Sequence, residues 1–467
     1  MFPGSTGKQT PCRTVTGKGV MKTIKENART VDVIKECDIL VVGSGPSGLC
    51  AAIAAARQGM SVILMERHGC FGGNITHAPV ESIAWYRHKE TVESDGIGRE
   101  LETKAMEMGG TQDEPQSVSQ ALDTELFKYL ADRLIMENGI TPLLHCLCTD
   151  VIMDGTTVKG VITESKSGRK AIMAKRIIDA TGDADIANLA GAPWEAAAVE
   201  NRMGVSVGFS CSGVDRQRFL DHVKSDPATY KDWAEETSGK EDQLFSPYLS
   251  EPFQRARQAG EIPKNVPIEG TWSRLTEHGE ATYLNMIYMN GFDTTRVEDL
   301  TRAEIEGRQQ AIWAVAALKK YVPGFERAGL RNFGMSLGTR ESRKIIGRST
   351  ITGDDVKNQA RFHDSIGICP EFLDAYGVVI LPTTGRYFQV PYGIMVPRGV
   401  DNLLVAGRCV AGDQISHGAT RQMVCCTVTG QAAGTAAALS IHGKIATGAV
   451  PVEKIRARLE KDGVRTQ

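Results

Sequence analysis

The sequence predicts an α/β fold: a parallel sheet continued by a β-meander, interrupted by an inserted α+β domain. Three observations carry this. Residues 38–66 read strand, glycine turn, helix, strand, acid. Residues 177–183 take an apolar strand into Ala-Thr-Gly-Asp. Residues 401–439 give a turn, an apolar strand, a glycine and a helix of small residues, whereas 195–390 carry no such pattern.

In the first stretch, Ile39 to Val42 is apolar and β-branched and stops at Gly43-Ser44-Gly45-Pro46-Ser47-Gly48. An alanine-rich helix follows, Leu49 to Gln58, with Gly59 as its C-terminal stop. Val62 to Met65 is a second strand ending on Glu66. Gly43 permits the sharp turn, Gly45 lets a pyrophosphate approach the backbone, and Gly48 lets helix and strand pack closely. Pro46 and Ser47 open the helix, whose free N–H groups and positive dipole end attract phosphate. Glu66 can accept hydrogen bonds from an adenosine ribose and would repel a 2′-phosphate. The unit is Rossmann-like and dinucleotide-binding.

Glu66-Arg67 leads through four residues to Gly72-Gly73 and then Asn74. This resembles the ERxxxxGG extension of FAD-binding folds of the glutathione-reductase type. The resemblance implies FAD rather than NAD alone, with Arg67, Gly72, Gly73 and Asn74 beside it. Ala180-Thr181-Gly182-Asp183 resembles the second FAD fingerprint of that fold, and 183–194 is similar to the broad group of FAD-dependent oxidoreductases, related to the fumarate reductase and succinate dehydrogenase flavoproteins. Asp401 to Arg408 resembles the third fingerprint, where a strand end at Gly407 meets the ribityl chain and pyrophosphate. Arg408 replaces the usual acid there, so Asp413 or backbone groups are expected to compensate. In this fold the helix after Gln422-Met423 points its N-terminus at N1 and C2=O of the flavin, and that positive end favours the reduced, negatively charged ring. Gly430 to Gly434 gives this helix the small residues for close packing.

The chain divides into an extension (1–36), a first part of the FAD-binding domain (37–194), a substrate domain (195–394) and a C-terminal return (395–467). Residues 97–109 and 120–138 read as helices. The second shows an apolar stripe of Leu122, Leu126, Tyr129, Leu130 and Leu134. Arg340, Arg343 and Arg386 in the substrate domain read equally as carboxylate clamps or as structural ion pairs.

Composition excludes several classes. Hydrophobic content of 41% and charge of 24% describe a globular chain. A net charge of −2 gives no reason to propose nucleic acid as a partner. The first 36 residues lack the apolar core of a signal peptide, and no apolar run suggests a membrane span, so the cytoplasm is the expected location. The eleven cysteines show no zinc spacing, so no metal is expected, and they read as free thiols. The vicinal pair Cys425-Cys426 leaves a redox role open.

The implied chemistry is hydride transfer between a small organic substrate and flavin N5, with electrons passed to an external acceptor. No second glycine fingerprint or CxxxxC motif supports a disulfide-reductase scheme. A dehydrogenase needs a base. His417 is the first candidate because it precedes the flavin-facing helix, although it also reads as a packing residue. Arg421 could orient an anion or stabilise the reduced flavin. His77 follows the double glycine, where the resemblance offers an active-site role or covalent flavin attachment; the plain reading is a loop histidine. His363 and Tyr387 are weaker candidates. The alternatives are a non-redox flavoprotein such as an isomerase or hydratase, and a flavin electron-transfer subunit of a complex. The sequence leaves a homo-oligomer open.

Overall fold

The computed structural model describes residues 23–84, 87, 90–113, 118–225, 249–380 and 385–467. Part of the expected extension (1–22), and Trp85, Tyr86 and His88 from the stretch after the double glycine, lie outside the described residues.

Strand β1 (Val33–Val42) begins earlier than the predicted run from Ile39, because its exposed first half pairs with the meander. The chain then forms α1 (Pro46–Ala56) and β2 (Val62–Met65). After three helices (Asn74–His77, Gly96–Glu107 and Thr124–Glu137) come β3 (Thr141–Leu143), β4 (Leu147–Asp154), β5 (Thr157–Ser165) and β6 (Gly168–Asp179). The inserted lobe contributes β7 (Phe209–Ser212), β8 (Ala281–Leu284), α2 (Val297–Tyr321) and β9 (Gly329–Phe333). The return supplies β10 (Leu403–Val405), α3 (Gln414–Thr420) and α4 (Met423–His442).

One sheet runs β3-β2-β1-β6-β5-β4. β1, β2, β3 and β6 are parallel, and β10 pairs parallel with the end of β6. The β4–β5–β6 meander is antiparallel. The order brings three distant strand ends to one edge. Gly43 N–H donates to Met65 O at 2.8 Å, Ala180 N–H to Val42 O at 2.8 Å, and Ala406 N–H to Asp179 O at 2.9 Å. In an open α/β sheet the ligand crevice lies outside such carboxyl ends.

Two apolar cores result. The larger holds residues between Ile39 and Ala192 and again between Ile345 and Val464. The second lies between Val205 and Leu337 around Phe209, Phe219, Phe253 and Phe325. The helix Thr124–Glu137 corrects the predicted stripe. Its buried face is Phe127, Leu130, Ala131, Leu134 and Ile135, while Leu126 and Tyr129 are exposed. Asp123 caps it, accepting from Glu125 and Leu126 N–H.

α4 has the length and apolar composition of a membrane span, which the sequence reading did not find. Here it is buried in protein, packed along α1. Its small residues are obligatory. A Cβ on Gly430 would lie 2.2 Å from Ser47 O, and one on Gly434 2.1 Å from Ala51 O. Gly430→Ala is therefore expected to lower stability by about 1–3 kcal/mol through overpacking. Denaturant unfolding checks this; an unchanged midpoint would show that α1 and α4 can separate freely.

Candidate active site

The strand ends open into a cavity of about 380 Å³ between the two cores. Of the predicted cofactor residues, Gly43, Gly45, Pro46, Ser47, Glu66, Arg67, Gly73, Asn74, Ala180 to Asp183, Arg408, Gln422 and Met423 line it. Gly48, Gly72 and Gly407 lie behind this wall and act by packing. A Cβ on Gly48 would meet Gly43 O at 1.9 Å, and one on Gly407 would meet Ser47 Oγ at 2.6 Å. Gly72 N–H donates to Ser44 O at 2.9 Å, which sets the two glycine turns against each other.

Gly43 takes φ +93°, which favours glycine. At Gly45 an added Cβ meets nothing closer than Gly73 Cα at 3.9 Å, so a side chain there would grow into the cavity. No side chain caps α1, and Gln422 leaves the N-terminus of α4 uncapped as well. Two helix ends with unsatisfied N–H groups thus border one cavity, a setting that attracts negative charge.

Glu66 is buried. Its Oε2 accepts from Ser44 N–H at 3.0 Å and Ser44 Oγ at 2.7 Å, and its Oε1 from His68 N–H at 3.0 Å. Burial opposes its charge, but these donors and nearby His77 hold the carboxyl below its ordinary range. The His77 ring lies 4.2 Å from that of His68, and its Nε2 is 3.0 Å from Cys70 O. Burial pushes its pKa down against the pull of Glu66. His77 lines the cavity beside Glu66, and Arg67 Nε contacts His68 Nε2 at 3.2 Å.

Arg408 is committed to protein groups. It donates to Gly182 O at 2.9 Å, Thr339 O at 2.7 Å and the Asp183 carboxylate. Asp183 also accepts from Ser342 Oγ at 2.6 Å. Burial would raise its pKa, but Arg408 and Ser342 hold it down. Asp413, expected to stand in for the missing acid, instead caps α3 through Ser416 N–H at 2.7 Å and accepts from Gly353 N–H. It is absent from the cavity wall. The acid that reaches the third fingerprint is Asp183, from the second.

His417 also departs from expectation. It is buried, lies outside the cavity lining, and its Nε2 is 3.0 Å from Arg340 O. Nδ1 is buried without a partner. Desolvation, with the positive charge of Lys344, pushes its pKa well down. A base must come within hydrogen-bond reach of its proton; His417 instead holds the backbone of Arg340.

Arg421 lines the cavity and is tied to Asp374 through its side chain and carbonyl, the latter at 2.8 Å. Arg386 pairs with Glu371, and Arg343 with Asp185 and Asp183 O. Arg340 differs. It lines the cavity, contacts Ser206 Oγ and Asn285 Oδ1, and stacks 4.7 Å from the Tyr288 ring centroid. Among the described residues no carboxylate lies within ion-pair distance of it. Burial and repulsion from Arg421 disfavour its charge, though Asp374 supports it. His363 is 96% exposed in its side chain, and Tyr387 stacks under Arg361; neither lines the cavity. Sequence reasoning did not single out Ser206, Tyr283, Asn285 or Tyr288. Tyr283, Asn285 and Tyr288 fall in the aromatic-rich stretch 281–289, and Ser206 carried no signal.

Strand ends that gather glycine turns, helix N-termini and a buried acid around one cavity define a dinucleotide-binding class of fold. The chain matches the family described as FAD dependent oxidoreductase over residues 38–459 and belongs to it. Its cofactor is FAD, and it is an FAD-dependent oxidoreductase. It is 29% identical over 154 residues to digeranylgeranylglycerophospholipid reductase 1 of Methanococcoides burtonii, covering 31% of this chain and 37% of that one. It is 29% identical over 192 residues to an NADH:fumarate oxidoreductase of Klebsiella pneumoniae, covering 39% and 20%. It is 39% identical over 103 residues to 4-oxocyclohex-2-ene-1-carboxylate 5-dehydrogenase of Sinomonas cyclohexanicum, covering 22% and 16%. The matched stretches thus span well under half of these relatives. A geranylgeranyl bacteriochlorophyll reductase-like protein from Thermoplasma acidophilum superposes with TM-score 0.48 at 14% identity, over 91% of this chain and 83% of that one.

The residues present fit FAD: Gly45 leaves room at the cavity floor, and both uncapped helix ends suit its negative groups. Gly45→Trp is expected to abolish FAD retention, read as loss of flavin absorbance in folded protein. Normal absorbance would contradict the placement.

Glu81 gives a second prediction. It is buried, accepts from Thr282 Oγ1 at 2.7 Å, and burial raises its pKa from 4.5 to about 8 against the pull of Arg274. The folded state therefore keeps a proton that the unfolded chain has released. The stability this contributes is complete below about pH 4.5 and is lost as pH rises through about 8. Glu81→Gln should flatten that decline in the unfolding midpoint; an unaltered slope would mean that Glu81 is ionised in the folded protein.

Proposed function

We propose that the enzyme transfers a hydride between flavin N5 and a small organic anion whose carboxylate is held by Arg340. An external redox partner takes or supplies the electrons. The observation that carries this reading is Arg340, a half-buried guanidinium on the cavity wall without a carboxylate partner among the described residues. A charge partly withdrawn from water is stabilised by a partner, and a guanidinium fork matches a carboxylate. Two relatives have a carboxylate in their names, fumarate and 4-oxocyclohex-2-ene-1-carboxylate.

FAD supplies the hydride-exchanging ring. The chain does the rest in this reading. Ser44 and the His68 N–H orient Glu66 toward the adenosine ribose, and the first turn of α1 meets the pyrophosphate. Asp183, fixed by Arg408, replaces the ribityl-facing acid. The N-terminus of α4 and Arg421 favour the reduced ring. His417 fixes the Arg340 backbone, and His77 belongs with Glu66 at the ribose end. A cytoplasmic location belongs to the same proposal.

Arg340→Gln should retain FAD and weaken binding of carboxylate substrates roughly 10- to 100-fold, the effect of losing a charged hydrogen-bond donor. An anaerobic screen of small carboxylates, followed at the flavin absorbance, measures it. Unchanged affinity would remove Arg340 from substrate binding.

A further inference from the structure

We propose that Tyr283 is the proton donor of this reaction, its phenol re-aimed into the cavity by a β-bulge and working in the direction of substrate reduction. The inference rests on the reading that Arg340 anchors the substrate.

The geometry begins with the pairing of β7 and β8. Phe209 pairs with Leu284 and Cys211 with Ala281. One residue, Ser210, therefore faces two, Thr282 and Tyr283, which is a bulge. Bulges cluster beside active sites, where they redirect side chains. Tyr283 takes φ +45°, a left-handed conformation unusual for a bulky aromatic residue. Such strain persists only where the surroundings enforce it. Here they do. Thr282 on one side is tied to buried Glu81, and on the other side the Tyr283 ring passes over Gly208, where an added Cβ would lie 3.5 Å from its Cδ2.

The redirected ring lines the cavity with Arg340 and Arg421. Its hydroxyl has no hydrogen-bond partner in the protein among the described residues, nor is it one of the sealed, unpartnered polar atoms. The charged groups facing it are Arg340 and Arg421, which favour a phenolate, and Glu81 and Asp374, which oppose one. Burial outweighs the arginines and raises the phenol to about 12, so it carries its proton at neutral pH. His417, five residues before the N-cap of α4, does not line the cavity.

The step balances as follows. One carbon of an unsaturated or oxo carboxylate gains a hydride, with its electron pair, from the reduced flavin. The π electrons shift to the neighbouring atom, which forms a bond to the proton of Tyr283 Oη. The O–H bond breaks toward oxygen, and the phenolate, flanked by the two arginines, regains a proton from solvent. The external partner restores the reduced flavin.

The test uses holoenzyme reduced anaerobically with dithionite and mixed with fumarate, crotonate or pyruvate, following flavin reoxidation. Binding of succinate to the oxidised holoenzyme, by calorimetry, is the readout independent of turnover. Tyr283→Phe should bind FAD and succinate as wild type does, while reoxidation slows about 100-fold or more, the scale of general-acid catalysis. The solvent deuterium isotope effect on reoxidation should change with it. Reoxidation of the variant at the wild-type rate overturns the assignment of Tyr283. Failure of the Arg340 reading shows separately, as equal succinate binding by wild type and Arg340→Gln. Reoxidation of wild type by none of the three probes overturns the reductive direction and the donor role with it.

Discussion

Two backbone hydrogen bonds, Ala180 N–H to Val42 O and Ala406 N–H to Asp179 O, hold three distant turns at one edge of a single sheet. Each is an ordinary ladder bond. Their consequence is that residues 43–48, 180–183 and 407–408 become neighbours. Because side chains would part them, glycine is required where the turns touch. The contacts of Gly43 with Ala180 O, Gly48 with Gly43 O, and Gly407 with Ser47 Oγ leave no room for a Cβ. The helices inherit the same restriction, since α4 lies on α1 through Gly430 and Gly434. A cavity bordered by uncapped helix ends is then a product of the sheet order.

Charge organises what the backbone gathers. Arg408 is a tie. It links Gly182, Asp183 and Thr339, and so joins the second and third fingerprints to the inserted lobe. The other cavity arginines show how pairing sorts structural from available charge. Arg421 is held by Asp374, while the side-chain hydrogen bonds of Arg340 go to the neutral Ser206 and Asn285, and an aromatic face lies against it. A guanidinium in that state retains donors for a substrate. Its position is reinforced from behind by His417, through the carbonyl of Arg340 itself.

The fingerprints were legible in the sequence because they are local: a glycine turn, a strand and a helix follow one another within a few tens of residues. FAD and the fold followed from them. The fates of Asp413 and His417 were not legible. Both closely precede α4 in sequence, but Asp413 is drawn to Gly353 and the start of α3, and His417 to Arg340. Arg340, Arg343 and Arg386 look alike as residues. They are distinguished only by Asp185 and Glu371, remote partners that the fold supplies to the latter two. Tyr283 was hidden for a similar reason, since its bulge is defined by register with β7, a strand some seventy residues earlier. The α4 helix shows what composition leaves open: its apolar residues reflect burial of most of its length within the protein.

The central claim is that this convergence of strand ends forms a site for FAD. Its most direct measure is the flavin content of the natively purified protein, released by denaturation and identified by chromatography. The account predicts FAD in stoichiometric amount with the chain. Folded protein that is colourless and takes up no FAD on reconstitution would contradict it.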